Sequence, residues 1–193
     1  MPKRAAGTGI SRTTAVRVAS PTTSDPDPSP PFISQRVEEG DYYLFDLKPA
    51  TDADLTVVCG GRERCGEGYV VDRSTFPFLS IEFVAAGAGD VRLQGTVQPL
   101  RAGSLFVYAP GVAHRITAES QAPMTKYFVD FVGTRARTLF AALPLGRVLE
   151  VDDPLRIQSL FEELQRAGHS QRPSARRICA LLVEVLLLHA AEF

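Results

Sequence analysis

Charged side chains set inside apolar β-type runs are the residues of this sequence best placed to do chemistry. Phe78–Val84 carries Glu82 near its middle, and Lys126–Phe131 carries Lys126 and Asp130. If both runs are strands, alternation puts Ser80, Glu82 and Val84 on one face and Ile81 and Phe83 on the other. It likewise separates Lys126, Phe128 and Asp130 from Tyr127, Val129 and Phe131. The uncharged faces suit a core. The charged faces either meet water, the ordinary outcome for an antiparallel sheet, or line a wet interior. In the second case every charge needs a partner, because an unpaired buried carboxylate is costly.

Other chemistry is thinly supplied. Cys59 and Cys65 enclose five residues, which is not a zinc-knuckle spacing, and the remaining ligands would have to come from Cys179 and three scattered histidines. The odd cysteine count, with no secretory signal, reads as reduced intracellular thiols. His114 follows Pro110-Gly111; such a histidine is commonly satisfied by backbone hydrogen bonds, and the alternative is a ligand contact. Neither a phosphate-cradling loop nor a nucleophile elbow is present. Gly87-Ala88-Gly89 leads into a strand, so it lacks the helix N-terminus that would hold a phosphate.

The elements that must position these residues are short strands punctuated by Gly and Pro. Tyr42–Leu47 and Leu55–Val58 read as strands, the second ended by Gly60-Gly61, and Gly66 and Gly68 bracket a loop before Tyr69–Asp72. Two further strands flank a Gly95-Thr96 turn within Val91–Val97, and Leu105–Tyr108 precedes the Pro110-Gly111 turn. Many short strands at close spacing imply a barrel or sandwich. After Gly133 the period changes to that of helices. Arg135–Ala142 reads as a short helix stopped by Pro144 and Gly146. A second helix starts at Asp153-Pro154, with a cap and a first-turn proline, and carries an apolar stripe of Leu155, Leu160, Phe161 and Leu164 up to Gly168. The last begins near Pro173-Ser174. Between 181 and 188 only Glu184 is polar, so either the helix is wholly internal or it has a second apolar face that meets a partner chain.

The 193 residues suit one domain with a tail. Residues 1–31 carry Lys3, Arg4, Arg12 and Arg17 with no acid before Asp25, then five prolines, a composition that predicts a disordered tail. Its start has the composition of an organelle transit peptide, but a disordered leader or a misplaced start codon is the simpler reading. A net charge of −1 gives no electrostatic footprint for nucleic acid, and no apolar run approaches a membrane span.

Gly103, six residues, Pro110-Gly111, two residues and His114 resemble the second motif of the cupin superfamily, in the form that AraC-type transcriptional regulators carry. Cys59–Cys65, Asp72-Arg73, Ile81–Gly89 and Pro123–Gly133 extend the resemblance from Asp41 to the C-terminus. It implies a mainly β fold: a cupin-like (jelly-roll) antiparallel barrel over 32–133, then two or three helices over 134–193 that dimerise. It also implies a cytoplasmic sensor for a small polar effector, a sugar foremost, with DNA bound only through a helix-turn-helix part that this sequence lacks. The alternative is a free-standing cupin that binds or transforms a small molecule.

A metal-dependent cupin would need histidines in its first motif, yet Asp72–Gly89 has none. The expectation is therefore no metal, no cofactor, no catalytic residue and no enzyme activity. Set against the sugar pocket of arabinose-binding members of the family, the arginine falls on Arg73, two positions of the penultimate strand on Lys126 and Phe128, and others on Ile116 and Cys59. Lys126, Ile116 and Cys59 differ in type from that pattern. With Glu82 and His114 these make the expected effector site. Arg73 anchors, Phe128 stacks and Lys126 orients, pairing with Glu82 or Asp130. The alternative for Arg73 is an ion pair with Asp72 or Glu82. Ile178, Leu181, Leu182, Val185, Leu186 and His189 make the expected homodimer seam.

Overall fold

The computed structural model of the chain describes residues 16–18, 34, 36–50 and 52–193. Among these lie eleven strands: β1 Val16–Val18, β2 Val37–Leu44, β3 Thr56–Cys65, β4 Val70–Arg73, β5 Leu79–Ala86, β6 Ala88–Leu93, β7 Thr96–Arg101, β8 Ser104–Tyr108, β9 His114–Ala118, β10 Thr125–Val132 and β11 Val148–Glu150. Three helices accompany them, α1 Thr134–Phe140, α2 Pro154–Gly168 and α3 Ala175–Ala190. The strands form two antiparallel sheets, ordered β1-β2-β3-β10-β5-β8-β11 and β4-β9-β6-β7. This is the cupin-like barrel followed by three helices.

The central strands β5, β8 and β10 of the large sheet are buried on both faces, which is what positions the site. Ile81, Phe83, Tyr127, Val129 and Phe131 pack with Ile157, Phe161, Leu164, Val183 and Leu187 of the helices. Phe83 and Phe161 stack with ring centroids 6.0 Å apart, and burying a ring of that size contributes about 1.5–3 kcal/mol. The opposite face, with Val58, Val84, Phe106 and Phe128, meets Val71, Val91, Leu93 and Ile116 of the small sheet. Alternation along β5 and β10 therefore turns Glu82, Lys126 and Asp130 into the space between the sheets. They are 2%, 3% and 2% exposed, so the solvated alternative falls.

Local chemistry accounts for several boundaries. Gln94 and Gly95 both take positive φ, 49° and 86°, as a two-residue hairpin turn matched to strand twist requires; the turn sits one residue earlier than Gly95-Thr96. Asp153 accepts the backbone N–H of Arg156 and Pro154 opens α2. Gly60-Gly61 does not end a strand, because β3 runs on to Cys65. These glycines answer a close approach: a Cβ on Gly60 would collide with the Tyr43 hydroxyl.

Other expectations are also corrected. The strand expected to start near 41 is β2, which begins at Val37 and stops at Leu44. Leu155 is not part of the α2 stripe; it is 75% exposed, and Ile157 takes the inward position. Within the expected tail, Val16–Val18 pairs with β2, whose open edge offers unpaired N–H and C=O groups. The rest of 1–31 lies outside the described residues.

Candidate functional site

The space between the sheets is lined by Ser34, Glu63, Tyr69, Val71, Arg73, Glu82, Tyr108, Lys126, Phe128 and Asp130. Its centre is Lys126, where β10 lies between β3 and β5. Lys126 stands opposite Glu63 in the β3 register, and Glu82 stands opposite its neighbour on the same face, Phe128. The ammonium lies 2.7 Å from Glu82 Oε2 and 3.1 Å from Glu63 Oε2. Three tyrosines complete the carboxylates: Tyr42 and Tyr69 donate to Glu63 at 3.1 and 2.8 Å, and Tyr108 donates to Glu82 at 2.6 Å. The rings of Phe128 and Tyr69, with centroids 5.2 and 5.8 Å from the ammonium, add cation–π attraction.

These contacts decide the protonation states. Burial works against the charge on Lys126, but Glu63 and Glu82 outweigh it and hold its pKa well above the ordinary value. Burial also opposes the charge on Glu82, and there Lys126 and the Tyr108 hydroxyl prevail and hold it low. For Asp130 the balance goes the other way, although the Arg73 charge favours its carboxylate. Burial, with Glu82 nearby, lifts its carboxyl to about 7 despite the Ser80 hydroxyl and the Cys59 thiol, which favour the charged form.

The expected site residues divide into two layers. Arg73, Glu82, Lys126 and Phe128 line the cavity, and Lys126 takes Glu82, with Glu63, rather than Asp130. Arg73 ends β4 with its guanidinium 4.8 Å from the centre of the Phe76 ring, while Asp72 pairs with Arg115 on the outside of the barrel. Cys59, His114 and Ile116 stand behind the lining. The Cys59 thiol donates to Asp130 Oδ2 at 3.3 Å, and Ile116 is apolar packing between the sheets. His114 donates from Nδ1 to the Val112 carbonyl at 3.1 Å and stacks on Tyr108 at 4.1 Å. Burial lowers its pKa, so it is a neutral wedge that holds Tyr108 against Glu82.

Glu63, Tyr69, Tyr108 and Asp130 were missing from the expected site. Alternation puts Asp130 on the face of Lys126 and Phe128, where it is named only as a partner for Lys126; Tyr69 shares the parity of Val71 and Arg73, so alternation alone could have found it too. Glu63 lies past Gly60-Gly61, where the strand was expected to end. The cavity itself measures about 10 Å³, room for about one water. Any larger occupant must displace side chains of the network.

The second surface of interest is the outer face of α3. Ile178, Leu181, Val185 and Leu188 are 40%, 46%, 38% and 51% exposed and fall on one stripe. Leu182 and His189 are half-buried, but Leu186 is fully buried beneath the helix. Leu186 thus belongs to the chain's own core and not to an outer seam, and a glutamate there would break the fold. Beside the stripe lies a groove of about 310 Å³, lined by Asp54, Leu55, Arg135, Arg177, Ala180, Leu181 and Glu184. Among the described residues no group of His, Cys, Asp or Glu is placed to hold a metal ion, and no helix is long and apolar enough to cross a membrane.

A two-sheet cupin-like barrel with an enclosed polar interior and helices behind its large sheet defines a class of small-molecule-binding domains. The model of the AraC-like ligand binding domain matches residues 58–191, and the chain belongs to that family. Among solved structures it is similar to the AraC-like transcriptional activator CuxR, with a TM-score of 0.55 and 11% identity, covering 85% of this chain. The chain spans 60% of the length of that activator. It also resembles YhaK from Escherichia coli, with a TM-score of 0.46 and 15% identity, over 60% of this chain and 52% of that one. No curated protein sequence matches it.

Proposed function

We propose that this chain is the effector-sensing and dimerisation part of a cytoplasmic AraC-type transcriptional regulator, non-catalytic, with DNA contacts supplied by a helix-turn-helix part beyond this sequence. One observation carries the reading. The barrel interior holds Glu63, Glu82, Lys126, Asp130 and Arg73, where a purely structural core would be apolar, since burying such groups brings little net stability. The effector is a small polar molecule, a sugar foremost, held by the Arg73 fork and stacked on Phe128. Because the cavity has room for about one water, the effector enters by opening the network. Binding is thereby coupled to the shape of β10, whose other face packs on the helices.

A thermal-shift screen with pentoses, hexoses and sugar acids tests this reading. A ligand at a hundred times its dissociation constant adds about 2.7 kcal/mol of stability, which raises Tm by about 5–10 °C for a chain of this size. A panel with no shift counts against a sugar effector. For the dimer, the α3 stripe is the seam, and Leu181→Glu with Val185→Glu is expected to convert the dimer to a folded monomer in sedimentation at micromolar concentration. A wild-type chain that sediments as a monomer under the same conditions overturns the seam.

A further inference from the structure

Asp130 is the one lumen carboxylate that the Lys126 network leaves out. Its Oδ2 accepts from Cys59, but Oδ1, on a residue 2% exposed, has no hydrogen-bond partner among the described residues. Ser80 stands opposite in the β5 register; its buried hydroxyl is likewise left without a hydrogen-bond partner and lies near enough to favour the carboxylate form. A buried acceptor left unmet is costly, and this one lines the cavity beside Arg73 and Phe128.

Resting on the effector reading above, we infer that Asp130 selects the effector: Oδ1 accepts a hydrogen bond from a hydroxyl of an uncharged, polyhydroxylated molecule, and the lumen rejects carboxylated or phosphorylated ones. The charge layout supplies the second half of the argument. The Lys126 ammonium is shared by two carboxylates, so that end of the lumen carries a surplus of negative charge. An anionic effector would face Glu63 and Glu82, and above pH 7 Asp130 as well, against Arg73 and a Lys126 already shared between two carboxylates, among the described lining side chains.

The same contact makes binding pH-dependent. The groups that act on Asp130 come from all sides: Cys59 on β3, Glu82 on β5 and Arg73 on β4, with the hydroxyls of Tyr43 on β2 and Tyr108 on β8. Lys126, on its own strand, is committed to Glu63 and Glu82. Burial keeps a proton on Asp130 up to about pH 7. A hydroxyl that donates to Oδ1 favours the carboxylate, so binding expels that proton, and affinity weakens by up to about tenfold per unit as pH falls below 7.

The experiment is calorimetric titration of the chain at pH 6 and pH 8 with neutral pentoses and hexoses and with the matching uronic acids. Wild type, Asp130→Asn and Arg73→Ala are compared. A neutral sugar is expected to bind at least fivefold more tightly at pH 8, with no uronate competing, and Asp130→Asn is expected to lose at least tenfold in affinity and flatten the pH profile. The wild-type profile stands by itself should the variant fail to fold. A flat wild-type profile, or preferred binding of a uronate, overturns the role of Asp130; if Arg73→Ala still loses the ligand, the lumen remains the effector site. No binding by any sugar at either pH overturns both readings.

Discussion

Replacing Lys126 with methionine is expected to lower the unfolding free energy by about 3–5 kcal/mol, because it strands two buried carboxylates that were compensated by one ammonium. Glu63 and Glu82 keep their tyrosine donors in such a variant, but hydroxyls do not neutralise charge. Both carboxylates lie within 3.1 Å of the ammonium and are 3% exposed at the side chain. The pair would have to take up protons or admit water. Urea unfolding at pH 7 measures the loss, which should shrink at pH 4, where the stranded carboxylates protonate. Replacing all three charges together with apolar residues of similar volume is expected to be neutral or stabilising, since the desolvation of three ions disappears with them. A triple variant as unstable as Lys126→Met would mean that the network holds the fold rather than serving a ligand.

Arg73→Ala carries the second large effect, a loss of about 2–5 kcal/mol in effector affinity, as expected when a buried charged hydrogen bond is removed. Arg73 is at the end of β4, opposite His114 in the β9 register, and its guanidinium lies over the Phe76 ring. Arg73 also lines the lumen. Arg101 is the matched control. It sits on β7 at the surface, paired with Glu150 at 3.0 Å and 69% exposed, so Arg101→Ala should leave binding within a few tenths of a kcal/mol.

Alternation was enough to read the two central strands and the faces of Glu82, Lys126 and Asp130, because period-two patterning leaves little freedom once one face is a core. The direction of the charged face was not legible. Its answer depends on the small sheet folding over it, a long-range event that local pattern does not encode. Glu63 was lost because Gly60-Gly61 read as a stop, whereas these glycines make room for the rings of Tyr42 and Tyr43 within a continuous strand. Leu186 was misplaced for a different reason. An all-apolar helix carries no marker of which face turns inward, and only packing against the large sheet separates Leu186 from Leu181 and Val185.

The claim that the barrel lumen is the effector site is tested most directly by the chain's own tyrosines. The sequence has no tryptophan and five tyrosines, and Tyr42, Tyr69 and Tyr108 hydrogen-bond the lumen carboxylates. An effector that opens this network must change their near-ultraviolet absorbance and emission. Titrating a sugar identified by thermal shift is predicted to give a saturable tyrosine signal, with the same midpoint as the calorimetric binding curve, that is weakened in Arg73→Ala and unchanged in Arg101→Ala. Tight calorimetric binding with a silent tyrosine spectrum and full affinity in Arg73→Ala would place the effector elsewhere and contradict the account.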